Sequence, residues 1–468
     1  MQLTKKRVKI IATLGPASDS YEIIRQMISD GLDVVRLNFS HGDHTWHQKN
    51  IELIKAIRAE LGTSVAIMAD LQGPKIRLTD FASGSCFFAC GAEVELAFGA
   101  ALCTVDKLYI NCSPQVFSTV KVGDTILLDD GKVSFQVKTA GNNSFKCIVH
   151  NEGYLTDRKG VNILGGGLNI PAITEKDLVD LEFVLKMGVD FIALSFVKTA
   201  EDIFRLRAII AENPTKILAK IETSEAIANY QEIIQAADGI MVARGDLAVE
   251  AGAQKVPWLQ KQLVTTASYY KKPSIVATQM MESMINASVP TRAEVSDVAN
   301  AIIDGSDAVM LSAETAVGVD PVAVVDFVSE ICLEANQHVC NSNHINVGHS
   351  VSEVVAWSAV EAAKKLEVDF LVALTETGST ALMFSKFGVN APVLGLSRND
   401  VALSHMALYR NVTPIAFDVM NCGPDIYREV VDFLKEQGYI KTGQKIIITK
   451  GWALGVIGET NSLVVLEV

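Results

Sequence analysis

Short apolar runs rich in Val, Ile and Leu recur along the first seventy residues, at Lys9 to Gly15, Asp33 to Ser40 and Val65 to Gly73. Runs of this kind mark strands buried on both faces. Between them the apolar positions take helical spacing, over Tyr21 to Ser29 before Gly31 and over Gln48 to Leu61 before Gly62. Strand, helix, strand with short connections predicts a parallel sheet. After Pro74 the helical period vanishes until about residue 174. Alternating stretches such as Lys132 to Val137 and Phe145 to Val149 take over, separated by turn signals at Val122-Gly123-Asp124, Asp129-Asp130-Gly131 and Gly141-Asn142-Asn143. This pattern predicts an all-β insertion that closes on Lys159-Gly160-Val161-Asn162 and a hinge at Gly165-Gly166-Gly167.

The first texture then returns. Thr174 is placed as the N-cap of a helix whose expected buried face is Leu178, Leu181, Val184 and Leu185. Five further apolar runs alternate with helices: Phe191 to Val197, Lys216 to Glu222, Gly239 to Leu247, Ser274 to Met280 and Ala308 to Ser312. The helix before the last run opens on a capping box, Thr291-Arg292-Ala293-Glu294. Three strands before the insertion and five after it make eight βα units, a (β/α)8 barrel interrupted after its third strand. From about residue 345 an amphipathic helix, Ser352 to Leu366, leads into strands Phe370 to Leu374, Val393 to Leu396, Pro414 to Phe417 and Ile446 to Thr449 alternating with helices. That describes an open α/β sheet. The predicted division is a barrel formed by 1–73 and 164–345, a β-rich lid over 74–163, and a C-terminal α/β domain over 346–468.

Composition narrows the class. A chain of 468 residues, 49% hydrophobic and 20% charged, has room for several domains with real cores. The formal charge of -13 argues against a nucleic-acid or anionic-membrane surface, while leaving room for a local cluster of Arg and Lys with a metal to bind phosphorylated small molecules. Met1 to Arg7 is basic, but the apolar run after it is too short for a signal peptide and reads as the first strand. No uncharged apolar segment approaches the length of a membrane span, so a cytoplasmic protein is expected. Of eight cysteines, Cys86, Cys90, Cys103 and Cys112 fall in the insertion without the paired spacing of a zinc site, and reduced thiols are the better account.

In a barrel of this kind the C-terminal strand ends converge on one pocket. Strand 2 brings Arg36, Asn38, Ser40 and His41 there, and strand 3 brings Asp70. Strand 4 ends near Ser195, strand 5 offers Lys220 and Glu222, strand 6 Arg244 and Asp246, strand 7 Thr278 and Gln279, and strand 8 Glu314. Glu222 and Asp246 on neighbouring strands suit a hard divalent cation. Arg36 and Lys220 suit phosphate. Together they point to phosphoryl transfer, where positioning and charge neutralisation do most of the catalysis. Rim salt bridges without chemistry are the plainer alternative. A P-loop enzyme is disfavoured, because no Gly-x-x-x-x-Gly-Lys-Ser/Thr occurs.

Seven motifs, spread over the barrel and the lid's attachments, resemble the pyruvate kinase family: Arg36-Leu-Asn-Phe-Ser-His-Gly42, Asp70-Leu-Gln-Gly-Pro-Lys-Ile-Arg77, Lys159-Gly-Val-Asn162, Ala219-Lys-Ile-Glu222, Met241-Val-Ala-Arg-Gly-Asp-Leu247, Ala277-Thr-Gln-Met280 and Pro290-Thr-Arg-Ala-Glu294. The resemblance covers essentially the whole chain. It implies a catalytic barrel, a β-barrel lid inserted after strand 3, a C-terminal regulatory domain and a homotetramer. The implied reaction is transfer of the phosphoryl group of phosphoenolpyruvate to ADP, the last step of glycolysis, through an enolate that is protonated to pyruvate. By the same resemblance Glu222 and Asp246 hold Mg2+ or Mn2+, and Arg36 and Lys220 neutralise the phosphoryl group. Gly245, Asp246 and Thr278 hold the substrate carboxylate, and Thr278 orders the protonating water. Asn38, His41, Arg77 and Lys159 serve the nucleotide.

Family members that bind K+ use positions matching Asn38, Ser40, Asp70 and the carbonyl of Leu71, and carry Glu where this chain has Lys75. Lys75, with Leu71 and Gln72, is similar to the branch that works without a monovalent cation, an ammonium standing in for K+. The loop Thr375-Glu-Thr-Gly-Ser-Thr380 resembles the family's site for phosphorylated effectors, with Thr375, Thr377, Gly378, Ser379 and Thr380 facing Lys450 and Trp452. A plain helix N-cap is the competing account of that loop. AMP or a sugar monophosphate is the implied effector. Two rivals stay open: another Mg2+ barrel acting on phosphoenolpyruvate or an oxoacid, and an effector-binding protein whose barrel has lost activity.

Overall fold

The computed structural model describes residues 6–129, 131–141, 143–168, 170–338, 346–452, 455 and 458–468. Asp130 and Asn142 of two turn signals, and the basic stretch Met1 to Lys5, lie outside the described residues. Eight parallel strands close into a barrel: Lys9–Thr13, Val34–Asn38, Ala66–Asp70, Phe191–Leu194, Lys216–Ile221, Gly239–Ala243, Ser274–Ala277 and Ala308–Leu311. The first pairs with the eighth, Lys9 opposite Ala308, and the third pairs with the fourth across the whole insertion, Asp70 opposite Ala193. The register puts Asn38 beside Asp70, so the functional ends of strands 2 and 3 are level at one rim.

Local chemistry explains several helix boundaries. Asp43 caps His44–Leu61 by accepting from the Trp46 amide, so this helix starts a turn before the apolar spacing becomes legible. Thr174 and Asp177 form a reciprocal capping box at the start of Glu175–Met187, and Thr291 with Glu294 does the same for Arg292–Ile303. Two expectations need correcting. Leu178 is 42% exposed, because the buried face of its helix runs through Asp177, Asp180, Leu181 and Val184 instead, the two acids being held by hydrogen bonds. The sixth strand stops at Ala243, and Arg244 to Leu247 open the helix Arg244–Ala251.

The insertion is a curled sheet in the order Val161–Ile163, Thr125–Leu128, Val133–Ala140, Ser144–Asn151, Glu93–Phe98, Lys107–Ile110, beside a two-stranded ribbon of Ser85–Phe88 and Gly153–Thr156. Arg77 bridges to Gly160 and Leu78 to Ile110, which ties the two edges of the sheet together where the chain enters. The C-terminal sheet runs Val412–Ala416, Val393–Ser397, Phe370–Leu374, Lys445–Gly451 and Thr460–Glu467, the last strand antiparallel. That edge strand went unread, because Thr460 to Glu467 buries little beyond Thr460 and lacks a clean alternation.

Apolar burial falls into distinct clusters. One lies between barrel strands and surrounding helices, and one fills the lid around Phe88, Phe117 and Phe135. A third runs from the barrel interior, through Met68, Phe191 and Met310, into the C-terminal domain at Phe384, Phe387 and Met406. No helix among the described residues is long and apolar enough to cross a membrane.

Candidate active site

Asp70, the last residue of strand 3, is the centre of a charged cluster with almost no exposure. One of its oxygens takes Arg36 Nε and Nη2, each at 2.7 Å. The other faces Lys220 Nζ at 3.3 Å and Ser195 Oγ at 3.4 Å. Arg36 is steadied from strand 1 by Thr13 Oγ1 at 2.9 Å, and Lys220 donates to Ser195 Oγ at 2.7 Å. Ser195 Oγ in turn donates to the Leu71 carbonyl at 2.6 Å. Burial pushes the Asp70 carboxyl up, but Lys220 and Arg36 outweigh it and hold the group below its ordinary value. Burial likewise acts to lower Lys220, and Asp70 and Glu222 more than reverse it, so the ammonium keeps its charge.

Glu222 follows strand 5 and is fully buried. Its Oε1 accepts from the Phe196 amide at 2.6 Å, which holds Phe196 at φ +54°. Its Oε2 has no hydrogen-bond partner, with Lys220 Nζ 3.5 Å away. Burial pushes this carboxyl up to about 7, Lys220 opposing and Asp246 adding to the rise. An orphaned, buried carboxylate oxygen within the field of a second acid fits a divalent cation held by Glu222 and Asp246, since a cation would relieve both burial and repulsion.

Asp246 sits in the first turn of the helix Arg244–Ala251 and lines a cleft with Phe196 and Glu250. Gly245 N donates to Thr278 Oγ1 at 2.8 Å, and Thr278 Oγ1 donates to the Ala277 carbonyl at 2.6 Å. Thr278 and Gln279 are both left-handed, φ +70° and +54°. Arg244 secures them: its guanidinium donates to the carbonyls of Ala277, Thr278 and Gln279 and pairs with Asp297 at 2.8 Å. It is a clamp between strands 6 and 7 rather than a group facing the pocket. Glu314 is also structural, accepting the amides of Met281 and Ser312.

The remaining candidates stand further out. Asn38 Oδ1 accepts the Ser40 amide at 3.1 Å, and His41 is exposed. Arg77 donates to the Arg158 carbonyl at 3.0 Å, and Lys159 pairs with Asp129 at 3.0 Å, both at the lid's attachments. Lys75 is exposed and lines a cleft with Asp246, Phe196, Lys198, Glu225 and Glu250.

In the C-terminal domain a second cleft is lined by Thr375, Thr377, Ser379, Thr380 and Lys450. Gly378, left-handed at φ +81°, caps the helix Ser379–Lys386, and its amide donates to Thr375 Oγ1 at 3.0 Å. Thr380 is buried against Thr460 Oγ1 at 2.6 Å, Lys450 Nζ lies 5.7 Å from the Tyr427 ring, and Trp452 is 83% exposed outside the cleft lining. Thr13 gains its importance only from the structure, although extending the strand-end rule to strand 1 would point to it, whereas Ser195, placed by the sequence at the end of strand 4, gains its partners here.

A closed parallel barrel with buried cations and carboxylates interleaved on its C-terminal rim, a β lid and an appended α/β domain defines a phosphotransferase of the barrel class. Residues 5–325 match the pyruvate kinase barrel domain and residues 353–466 the pyruvate kinase alpha/beta domain. Similar proteins include pyruvate kinase II of Salmonella typhimurium, 40% identical over 99% of both chains. Another is a pyruvate kinase of Geobacillus stearothermophilus, 38% identical over 98% of this chain and 79% of its own. The crystal structure of a pyruvate kinase from Cryptosporidium parvum superposes with a TM-score of 0.93 at 33% identity, covering 99% of this chain and 96% of that one. The chain belongs to the pyruvate kinase family, phosphotransferases that act between phosphoenolpyruvate and ADP and generally use Mg2+.

Proposed function

We propose that phosphoryl transfer from phosphoenolpyruvate to ADP is carried here by Arg36 and Lys220, which neutralise the moving group, with Thr278 and the Gly245 and Asp246 amides receiving the substrate carboxylate. Glu222 and Asp246 would hold Mg2+ or Mn2+, which when bound supplies positive charge to substrate oxygens. The observation that carries this reading is the buried Arg36–Asp70–Lys220–Glu222 cluster, whose two cations are paired with carboxylates at one rim. A preorganised charge in a dry site stabilises a transition state without reorganisation at the moment of reaction. The Thr278 hydroxyl, held by two hydrogen bonds, would accept from the water that protonates the enolate. Arg77 and Lys159 would reach the nucleotide phosphates from the lid, with Asn38 and His41 on the rim below. A coupled assay for pyruvate from phosphoenolpyruvate and ADP tests the whole reading; no turnover by the wild-type chain with Mg2+ would overturn it.

The same reading makes the enzyme independent of K+, with Lys75 supplying the charge beside Asn38, Ser40, Asp70 and Leu71. What supports it is the exposed Lys75, four residues beyond Leu71, on a cleft that Asp246 also lines. Activation by K+ over a tetramethylammonium control at equal ionic strength would refute it. A phosphorylated effector, AMP or a sugar monophosphate, would occupy the cleft at Thr375 to Thr380 and Lys450, the exposed Trp452 having to move to reach it. An unchanged activator response in a Ser379→Ala, Lys450→Ala variant would remove that assignment. A cytoplasmic homotetramer, with a barrel of 1–73 and 164–345, a lid of 74–163 and a regulatory domain of 346–468, completes the proposal.

A further inference from the structure

The lid returns to the barrel through Gly165, Gly166 and Gly167, all at positive φ (+89°, +81° and +101°), conformations that L side chains rarely adopt. Such a segment has many accessible orientations unless something ties it down. Here it is tied at several points. Gly165 N donates to the Glu250 carbonyl at 3.2 Å, and Gly167 N to Glu225 Oε1 at 2.8 Å. Asn162, at the end of the lid, reaches Glu250 Oε1 at 3.5 Å. Lys198 Nζ donates to the carbonyls of Leu168 and Ile170, the latter at 3.1 Å. Gly166 packs so closely that an added Cβ would lie 2.4 Å from Glu225 Oε2.

The barrel side of these ties is the scaffold of the catalytic carboxylates. Glu250 lies four residues beyond Asp246 on one helix, and Glu225 three residues beyond Glu222 in Ser224–Ala228. The two helices are clipped together, Ser224 N to Glu250 Oε2 at 3.4 Å and Ser224 Oγ to the Glu250 carbonyl at 3.2 Å. Glu250 is buried and Glu225 half-buried, and neither has an ion-pair partner among the described residues. Their oxygens are spent on the backbone and side-chain donors of the hinge and its clip.

We propose that Glu225, Glu250 and Lys198 are positioning residues for the nucleotide: they lock the lid's return hinge to the helix that follows Glu222 and the helix that carries Asp246, and so set where the lid presents Lys159. This rests on the reading that Lys159 serves the nucleotide.

The test is steady-state kinetics on the full-length enzyme, varying ADP and phosphoenolpyruvate separately, with hydrogen exchange of the 161–168 segment alongside. Glu225→Ala is expected to raise KM for ADP about tenfold, leave KM for phosphoenolpyruvate within about twofold, and speed exchange at the hinge. Glu225→Gln still offers an oxygen to Gly167 N and is expected to return KM for ADP to within about threefold of wild type. The proposal is overturned if Glu225→Ala leaves KM for ADP within about twofold, or raises both KM values alike, as a general loss of structure would. Lys159→Ala separates the two failures. If it raises KM for ADP while Glu225→Ala does not, the lock is wrong and the nucleotide reading stands. If Glu225→Ala raises it and Lys159→Ala does not, the lock stands and the lid serves ADP through another residue.

Discussion

Lys220 is held between Asp70, Glu222 and the Ser195 hydroxyl, and each contact bears on a different property. Replacing it with Met removes charge from the transition state and leaves two buried carboxylates short of a partner. We expect kcat to fall by about 10³ in the coupled assay, the scale seen when one preorganised electrostatic donor is removed. Ser195→Ala keeps every charge but frees the ammonium from its 2.7 Å acceptor; a loss of kcat of about tenfold, with little change in KM for ADP, is expected. The contrast between these residues shows what a sequence makes visible. Lys220, Glu222 and Asp70 stand out because an apolar run ends abruptly on charge. Ser195 marks only the end of its strand, because half of its role is a bond to the Leu71 carbonyl, and a backbone acceptor has no letter in the sequence.

At the scale of elements, the turn that leaves strand 7 holds two strained positions beside the pocket. Thr278 is β-branched and left-handed, and Gln279 beside it is left-handed too, conformations that cost on the order of 1–3 kcal/mol each. Arg244 offsets this with hydrogen bonds to three successive carbonyls and an ion pair to Asp297. A lysine cannot reproduce that planar fork. Arg244→Lys should therefore raise KM for phosphoenolpyruvate by about tenfold or more and lower Tm, while KM for ADP moves little, as steady-state kinetics and thermal melting would show. The element pattern itself was legible: alternation of buried runs and helical spacing led to eight strands and the insertion point. Its errors have local causes. The face of Glu175–Met187 is turned because Asp177 and Asp180 find partners inside, Asp177 accepting the Gly73 amide where the lid departs, and apolar spacing cannot see a satisfied buried acid. The helix Arg244–Ala251 is hidden in the sequence because Leu247, Ala248 and Val249 resume the apolar pattern just past Arg244-Gly245-Asp246.

Across the whole molecule, the floor of the barrel is sealed by polar groups from the C-terminal domain. His405 is buried there beside Phe191, with Nε2 unpartnered, and its pKa falls from 6.5 to about 4. Burial is the main cause; Lys216 adds to it, while Asp190 and Asp238 oppose it. Between those two values the unfolded chain takes up a proton that the folded chain refuses, so this contribution to stability is complete above about 6.5 and is lost as pH falls toward about 4. His405→Leu should flatten the fall of Tm over that window, measured by melting at a series of pH values. Lys386 and Asp307 form a buried ion pair at the same floor, and Asp307 also accepts the Ser274 amide at the start of strand 7. Lys386→Met would strand the carboxylate and cost about 3–5 kcal/mol, with Asp307→Asn in addition recovering part of it in denaturant titrations.

The apolar cluster that runs from Met68 and Phe191 into Phe384 and Met406 gives these contacts a larger meaning. Because this cluster crosses from the barrel interior into the C-terminal domain, the two are expected to unfold together, whereas the lid keeps its core apart and should open first in hydrogen exchange. Removing the C-terminal domain would uncover Met68, Phe191 and Met310 at the floor of the barrel, so the barrel is not expected to stand without it.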